Sequence, residues 1–378
     1  MISPKSKRTF LKIIPYGIFW FVFSTLYTVL EKSILGNLNY YPTTGNPYDF
    51  YGNLLVTPLF SLVMGLGIGA VEVVYLNKRF IRQSFTVKIW VKTTIYLSVI
   101  ICFLIITSIF ANAVELHSSV LNAAVLENSW QFMFSYSSAG VILYMGVIIV
   151  LSLFYNEVTD SLGSMMIKNF FTGKYYRPIQ EERIFLFLDM KGSTSIAEKL
   201  GHVTYFTMLK EYFADLSPAI VQFEGEIYQY VGDEIVITWR VSDQHLNSNS
   251  LRCFFEMKAA LHRQSTKYLA QYGTVPTFKA GLHLGSVTTG EIGVIKKELI
   301  FTGDVLNTTA RIMELCNMYE VDLLLSGQLV DKLADVHVDY RSLGEISLRG
   351  KDEKIKLYTL SSDQLSTKHI PGSNPHIS

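Results

Sequence analysis

Four long apolar stretches, near Leu11–Leu30, Leu54–Leu76, Ile89–Asn112 and Phe132–Tyr155, constrain this chain more than any other feature. Each reaches the roughly 20 apolar residues needed to cross the hydrocarbon core of a bilayer. Backbone polar groups find no water there, so the stretches must be helices. All four precede residue 156, and nothing comparable follows. They account for a mean hydropathy of +0.27. The 49% hydrophobic content is likewise too high for an ordinary soluble enzyme of 378 residues. The first stretch does not read as a cleaved leader, because no small-residue cleavage site follows it and three more spans do.

Flanking charge orients the expected bundle. Lys5, Lys7, Arg8 and Lys12 precede the first span, and Lys78, Arg79, Arg82 and Lys88 lie between the second and third. The stretches Ser33–Gly52 and Ala113–Gln131 contain no Lys or Arg. The positive-inside rule then places both termini in the cytoplasm of an integral protein of the inner or plasma membrane, with lipid as a partner. Glu72 is the conspicuous charge within a span. It reads more readily as an interfacial acid paired with Lys78 or Arg79 than as a sensing group. The outer loops are too short for a folded sensor domain. A net charge of +1 gives no case for nucleic acid as a partner. Cys102, Cys253 and Cys316 have no metal-ligand spacing and read as small apolar residues.

After the last span, Met165, Met166, Ile167, Phe170 and Phe171 give a short helix-like apolar face before Thr172-Gly173. It is either a transducing helix or a passive tether. From residue 183 strand and helix patterns alternate: a strand over 183–189, helices over 194–200 and 203–222, and a hairpin around Gly232-Asp233. A helix over 250–272 and strands over 277–284 and 290–294 come next. A helix over 304–319, a strand over 321–326 and a terminal hairpin through Gly350 complete the pattern. This is an α/β domain with helices on a mixed sheet. The expected division is a membrane domain over 1–155, a linker over 156–182, a catalytic domain over 183–361 and a disordered tail over 362–378.

Two carboxylates stand out in that domain. Asp189 closes the apolar run Ile184–Leu188 and is followed by Met190, Lys191, Gly192, Ser193 and Thr194. Asp233 sits at the tip of the strand–turn–strand pattern Tyr230–Ile237. Asn307 and Arg311, spaced i, i+4, share a helix face. Two acids, an amide and an arginine suit a reaction on a magnesium nucleoside triphosphate, because Mg²⁺ takes hard oxygen ligands and few protein carboxylates. Backbone N–H groups through Gly192, Ser193 and Thr194 suit phosphate oxygens at a helix start. The plainer alternatives are an N-cap acid, a turn acid, a helix-cap Asn and a surface Arg.

These residues resemble the class III nucleotidyl cyclases over roughly Arg183–Leu360. The elements appear in that family's order: Phe187-Leu188-Asp189 with Gly192-Ser193-Thr194; Val231-Gly232-Asp233; and Ala280-Gly281-Leu282-His283 with Gly285 and Gly290. Gly303 through Asn307 with Arg311, and then Leu348-Arg349-Gly350-Lys351, complete the order. The resemblance implies a ferredoxin-like core and cyclisation of a nucleoside triphosphate with two Mg²⁺ or Mn²⁺ ions per site. It implies Asp189, Asp233 and the Met190 carbonyl as metal ligands, with Gly192, Ser193 and Thr194 on phosphate. Arg311 would act at the α-phosphate and Asn307 at the ribose. Arg349 stands where the family usually has a lysine for the distal phosphates. The family's site is shared between two catalytic domains, so a homodimer is expected.

The positions that usually read the base hold Gln229 and Ile300, matching neither the usual adenine set nor the usual guanine set. A Gln amide can pair with adenine or, rotated, with another base. ATP is the favoured substrate, and GTP or a pyrimidine triphosphate is the alternative. A diguanylate cyclase is disfavoured because Val231-Gly232-Asp233-Glu234 lacks that family's second Gly and its Phe. A catalytically silent cyclase-like regulatory partner is the non-enzymatic alternative.

Overall fold

The computed structural model describes residues 4–40, 48–80, 83–163, 172–241, 248–333, 338–347 and 354–360. The apolar linker stripe, the Arg349 loop and the C-terminal tail lie outside them. The chain divides into two compact units, Ser6–Lys168 and a second dominated by Asn169–Ser378.

In the first unit, α1 (Pro4–Leu35), α2 (Phe50–Val71), α3 (Phe85–Glu115) and α5 (Tyr136–Leu162) are the long helices. Among the described residues, four helices are long and apolar enough to cross a membrane. The fourth starts later than expected. A separate helix, α4 (Ala123–Met133), takes up Phe132, and Ser135 then caps α5 by accepting from the Ser138 N–H. Gly65 and Gly69 set the contact between α1 and α2: a Cβ at either would meet Trp20 or Tyr16 within 3.0 Å. That spacing of small residues lets two backbones approach closely.

Glu72 departs from expectation. It is fully buried and pairs across the bundle with Lys92, Nζ to Oε1 2.5 Å, while Tyr96 donates to its other oxygen at 3.0 Å. Arg79 instead reaches Tyr75 Oη. The cause is local: α2 passes into a π-helical turn over Glu72–Leu76. Such a turn inserts a residue and re-aims the helix face. Lys92 lies in the first turn of the third apolar stretch, and nothing in the sequence alone marks it as the partner of Glu72.

The second unit has eight strands among the described residues. They are β1 (Ile179–Met190), β2 (Glu226–Val231), β3 (Glu234–Arg240), β4 (Phe278–Ile292), β5 (Glu298–Thr302), β6 (Leu323–Ser326), β7 (Tyr340–Ser347) and β8 (Lys354–Leu360). Their order is β2-β3-β1-β4-β6-β8-β7, with β5 paired to β4. Only the β4–β6 pairing is parallel. The helices are α6 (Ser193–Leu200), α7 (His202–Gln222), α8 (Asn249–Arg263), α9 (Ser265–Tyr272), α10 (Asp304–Glu314) and the short α11 (Gly327–Val330). Strands β1 to β4 with their helices run β-α-β-β-α-β, the expected ferredoxin-like core.

Alternation along β1 divides the interior. Ile184, Leu186 and Leu188 pack with α7 and α8, whereas Phe185 and Phe187 face Val305 and Met313 of α10. Gly281 is needed on β4, because a Cβ there would lie 2.6 Å from the Met313 nitrogen. The expected short strand near residues 290–294 is instead the end of an unbroken β4, hairpinned to β5. The expected helix over 250–272 breaks at Gln264.

Candidate active site

Asp189 is the penultimate residue of β1, and Asp233 lies in the tight turn joining β2 to β3. Because β1 and β3 are neighbours, with Leu188 opposite Ile235, the two acids meet at one end of the sheet. Both flanking turns need glycine. Gly192 has φ +66 and Gly232 φ +63, left-handed values that an L side chain adopts only with strain. Gly192 also starts α6, so Ser193 and Thr194 occupy a helix N-terminus beside the acids.

Electrostatics at this end are unbalanced. Burial, the hydrogen bond with Asp233 and the charge of Asp233 together raise the Asp189 pKa, and Lys279 only partly opposes them. Lys279 lies opposite Asp189 on β4, its Nζ 3.3 Å from Oδ2. Asp233 Oδ2 is buried with no hydrogen-bond partner. Glu234 is pushed up to about 6 by burial and by the charges of Asp189, Asp233 and Glu314. A divalent cation fits this pattern: two acids short of donors, one orphaned carboxylate oxygen and no third carboxylate or histidine to close a protein cage. Among the described residues no group of three such ligands occurs. Such a donor set suits Mg²⁺ or Mn²⁺, which leave positions to water and phosphate oxygens.

Asp189, Met190, Gly192, Ser193 and Thr194 line a cleft of about 420 Å³, joined by Lys191 and Lys279. Neither lysine was assigned a role from the sequence. The signal for Lys279 was there, a charge near the start of the mostly apolar run Phe278–Leu284. Lys191 is tied to Asp322, which also holds Lys258 at 2.6 Å. Burial works against the Asp322 charge, but the hydrogen bonds from these lysines more than offset it and lower its pKa.

Asn307 and Arg311 do not line that cleft. They project from the side of α10 opposite its buried residues Val305, Thr308, Thr309, Ile312 and Met313. Gly285 faces Val305, and Gly281 faces Thr309 and Met313, so Asn307 lies level with the strand between them. Asp189 is level with Lys279, about four residues away, or roughly 13 Å along the strand. One chain therefore carries both pairs of the expected residues, with Asn307 and Arg311 outside the cleft that Asp189 lines. Arg349 lies outside the described residues.

Gln229 and Ile300 are not brought onto one face. A bulge between Ile227 and Gln229 places Gln229 opposite Val236, on the side that carries α10. Phe301 is buried on that side against Tyr228, with ring centroids 4.8 Å apart, so alternation turns Ile300 to the other.

Residues 176–362 match the adenylate and guanylate cyclase catalytic domain family. Adenylate cyclase 2 of Rhizobium meliloti is 35% identical over 57% of this chain and 59% of its own length. Adenylate cyclase of Anabaena cylindrica is 28% identical over 46% of this chain and 35% of its own length. The matches thus span only part of these relatives. Among solved structures, the adenylyl cyclase CyaB from P. aeruginosa aligns with TM-score 0.45 and 18% identity over 49% of this chain and 96% of that one. On that sequence match, residues 176–362 of this chain form a catalytic domain of the adenylate and guanylate cyclase family.

Proposed function

We propose that this chain is a membrane-anchored adenylate cyclase, active as a homodimer, that converts ATP into 3′,5′-cyclic AMP and pyrophosphate. Both termini lie in the cytoplasm on this reading, as the flanking lysines and arginines require. The observation that carries it is the separation within one chain of two intact half-sites. Asp189 and Asp233 converge beside a phosphate-binding helix start, while Asn307 and Arg311 face outward from α10. Two copies related by a twofold axis would bring the acids of one against the Asn and Arg of the other, giving two equivalent sites.

The residues divide the work by chemistry. Asp189 and Asp233, with the Met190 carbonyl, would hold two divalent cations. When bound, these supply a lowered pKa for the ribose 3′-hydroxyl and charge neutralisation at the departing pyrophosphate. Gly192, Ser193 and Thr194 hold phosphate oxygens through backbone N–H groups. Lys279 and Arg349 add positive charge toward the distal phosphates. Arg311 of the partner stabilises charge growing at the α-phosphorus, and Asn307 fixes the ribose for in-line attack. Gln229 selects the base through its amide, and Ile300 supplies only packing. The name of the Rhizobium relative supports ATP; guanine remains the second reading because Gln229 suits either purine.

The test is to purify the full chain and incubate it with ATP, GTP, CTP and UTP, each with Mg²⁺ or Mn²⁺, identifying products by mass. Cyclic AMP formed from ATP in preference to the others is the expected result. Cyclisation of GTP instead would move the assignment to a guanylate cyclase. No product from a folded dimer would leave the silent regulatory partner. Mixing Asp189→Ala and Arg311→Ala chains, each inactive, should restore partial activity. A verified mixed dimer without activity would sink the shared site.

A further inference from the structure

The membrane unit contains a second cluster of charge that the reaction does not use. Glu157 and Asp160 lie one turn apart in the last two turns of α5. Glu157 receives Lys88 at 3.0 Å and Lys92 at 3.4 Å, both from α3. Asp160 receives Lys12 from α1 and the Asn77 amide at 2.8 Å. Lys92 also holds Glu72 of the π-helical turn, which Tyr96 contacts as well. Three lysines and three acids therefore tie the end of α5 to every other spanning helix, with no net charge.

Two further observations distinguish this from a passive staple. A buried ion pair such as Lys92–Glu72 is often replaceable by well-packed hydrophobic side chains at no cost in stability, so packing alone does not call for it. Unused hydrogen-bond capacity also surrounds the cluster. Tyr16 Oη on α1, Thr93 Oγ1 on α3 and Asn156 Nδ2 on α5 are buried with no partner. A small rotation or slide of α5 has alternative donors ready, which a two-position element requires. Beyond Leu162 the chain runs on to β1 of the catalytic domain.

We propose that this six-residue ion-pair cluster is the coupling site of the membrane domain, fixing the end of α5 in the position that permits catalysis. The inference rests on the cyclase reading above. Loss of the cluster frees the helix end while leaving each substrate-binding group intact, so turnover falls and substrate affinity does not.

The experiment uses the full chain reconstituted in lipid vesicles, comparing wild type, Lys92→Met, Asp160→Asn and the neutral pair Glu72→Gln/Lys92→Met. Lys92→Met should lower kcat at least about fivefold with KM within about twofold, and Asp160→Asn should lower it less. The neutral pair removes the uncompensated buried charge, so it should regain the wild-type melting temperature while kcat stays low. A purely structural role predicts that kcat returns with stability. A neutral pair with wild-type kcat, a change confined to KM, or a rise in kcat would each overturn the proposal. A wild-type chain that cyclises no triphosphate would overturn the cyclase reading itself, a distinguishable failure.

Discussion

Glu72 and Glu157 in the membrane unit are buried carboxylates, Asp189 and Asp233 in the catalytic unit are half-buried ones, and their surroundings are opposite. The first pair has more than enough partners: Lys92 lies between them, Lys88 and Tyr96 flank them, and every bond is made within the chain. The second pair has one lysine, one orphaned oxygen and mutual repulsion. A satisfied buried cluster is closed to any further ligand, so its removal is felt through the helices it ties together. An unsatisfied one holds local instability that a ligand cation relieves, and that deficit is the mark of a site.

The sharpest way to break this comparison is to neutralise one acid of each pair. Asp233→Asn should reduce turnover by about a thousandfold, the loss expected for a principal electrostatic group. It should leave thermal stability unchanged or higher, because the like-charge contact with Asp189 is relieved. Saturating Mg²⁺ should raise the stability of the wild-type protein by about 2.7 kcal/mol at 100 times its Kd, and should do so far less for the variant. Turnover assays and calorimetry with and without Mg²⁺ check both halves. A variant that unfolds readily would place Asp233 with the structural acids.

In the membrane cluster the expected signature is reversed. Lys92→Met leaves Glu72 buried without its cation, and should cost about 3–5 kcal/mol of stability. The pair Glu72→Leu/Lys92→Met should recover most of that. Urea or thermal unfolding in detergent measures the difference. Equal destabilisation by the single and double variants would mean that Glu72 gains nothing from Lys92.

The contrast also explains what could be read from the sequence. Spans, the α/β class, and the frames around Asp189, Asp233, Asn307 and Arg311 were legible because hydrophobic period and turn chemistry are local. Glu72 was misassigned to its own loop, because a π-helical turn changes which way a residue points without changing composition. The partnership with Lys92 is a contact between helices, and a basic residue in the first turn of an apolar stretch is its only trace. Lys279 is similar: its charge was visible, but its place opposite Asp189 depends on the β1–β4 register. The bulge at Tyr228 had no sequence signal at all, since an inserted strand residue looks like any other.

Between the two extremes lies Asp322, paired yet adjacent to the site. It ties Lys191, next to Met190 in the cleft wall, to Lys258 of α8. Asp322→Asn keeps the size of the side chain but frees both lysines, so the metal-binding turn loses one anchor. A loss of about tenfold in kcat/KM is expected, in line with groups that orient metal ligands from behind. The apparent affinity for Mg²⁺ should weaken with it, and Asp322→Glu should recover part of the loss. Unchanged metal dependence would leave Asp322 an anchor of the fold alone.

The smallest effect concerns the base. The bulge at Tyr228 turns Gln229 toward the side of the sheet that carries α10, where its amide is exposed and free to rotate. An amide that presents donor and acceptor in either order discriminates weakly between purines. Gln229→Lys offers donors only, so it favours a base whose ring nitrogens accept and disfavours one that needs an acceptor from the protein. One net hydrogen bond is worth about 1 kcal/mol, so the ratio of kcat/KM for ATP over GTP should rise about fivefold. Stability should not change, because the position is open to solvent. Competition assays with both triphosphates in one reaction measure that ratio directly. A ratio that stays put would move base selection away from β2, toward residues supplied by the second copy.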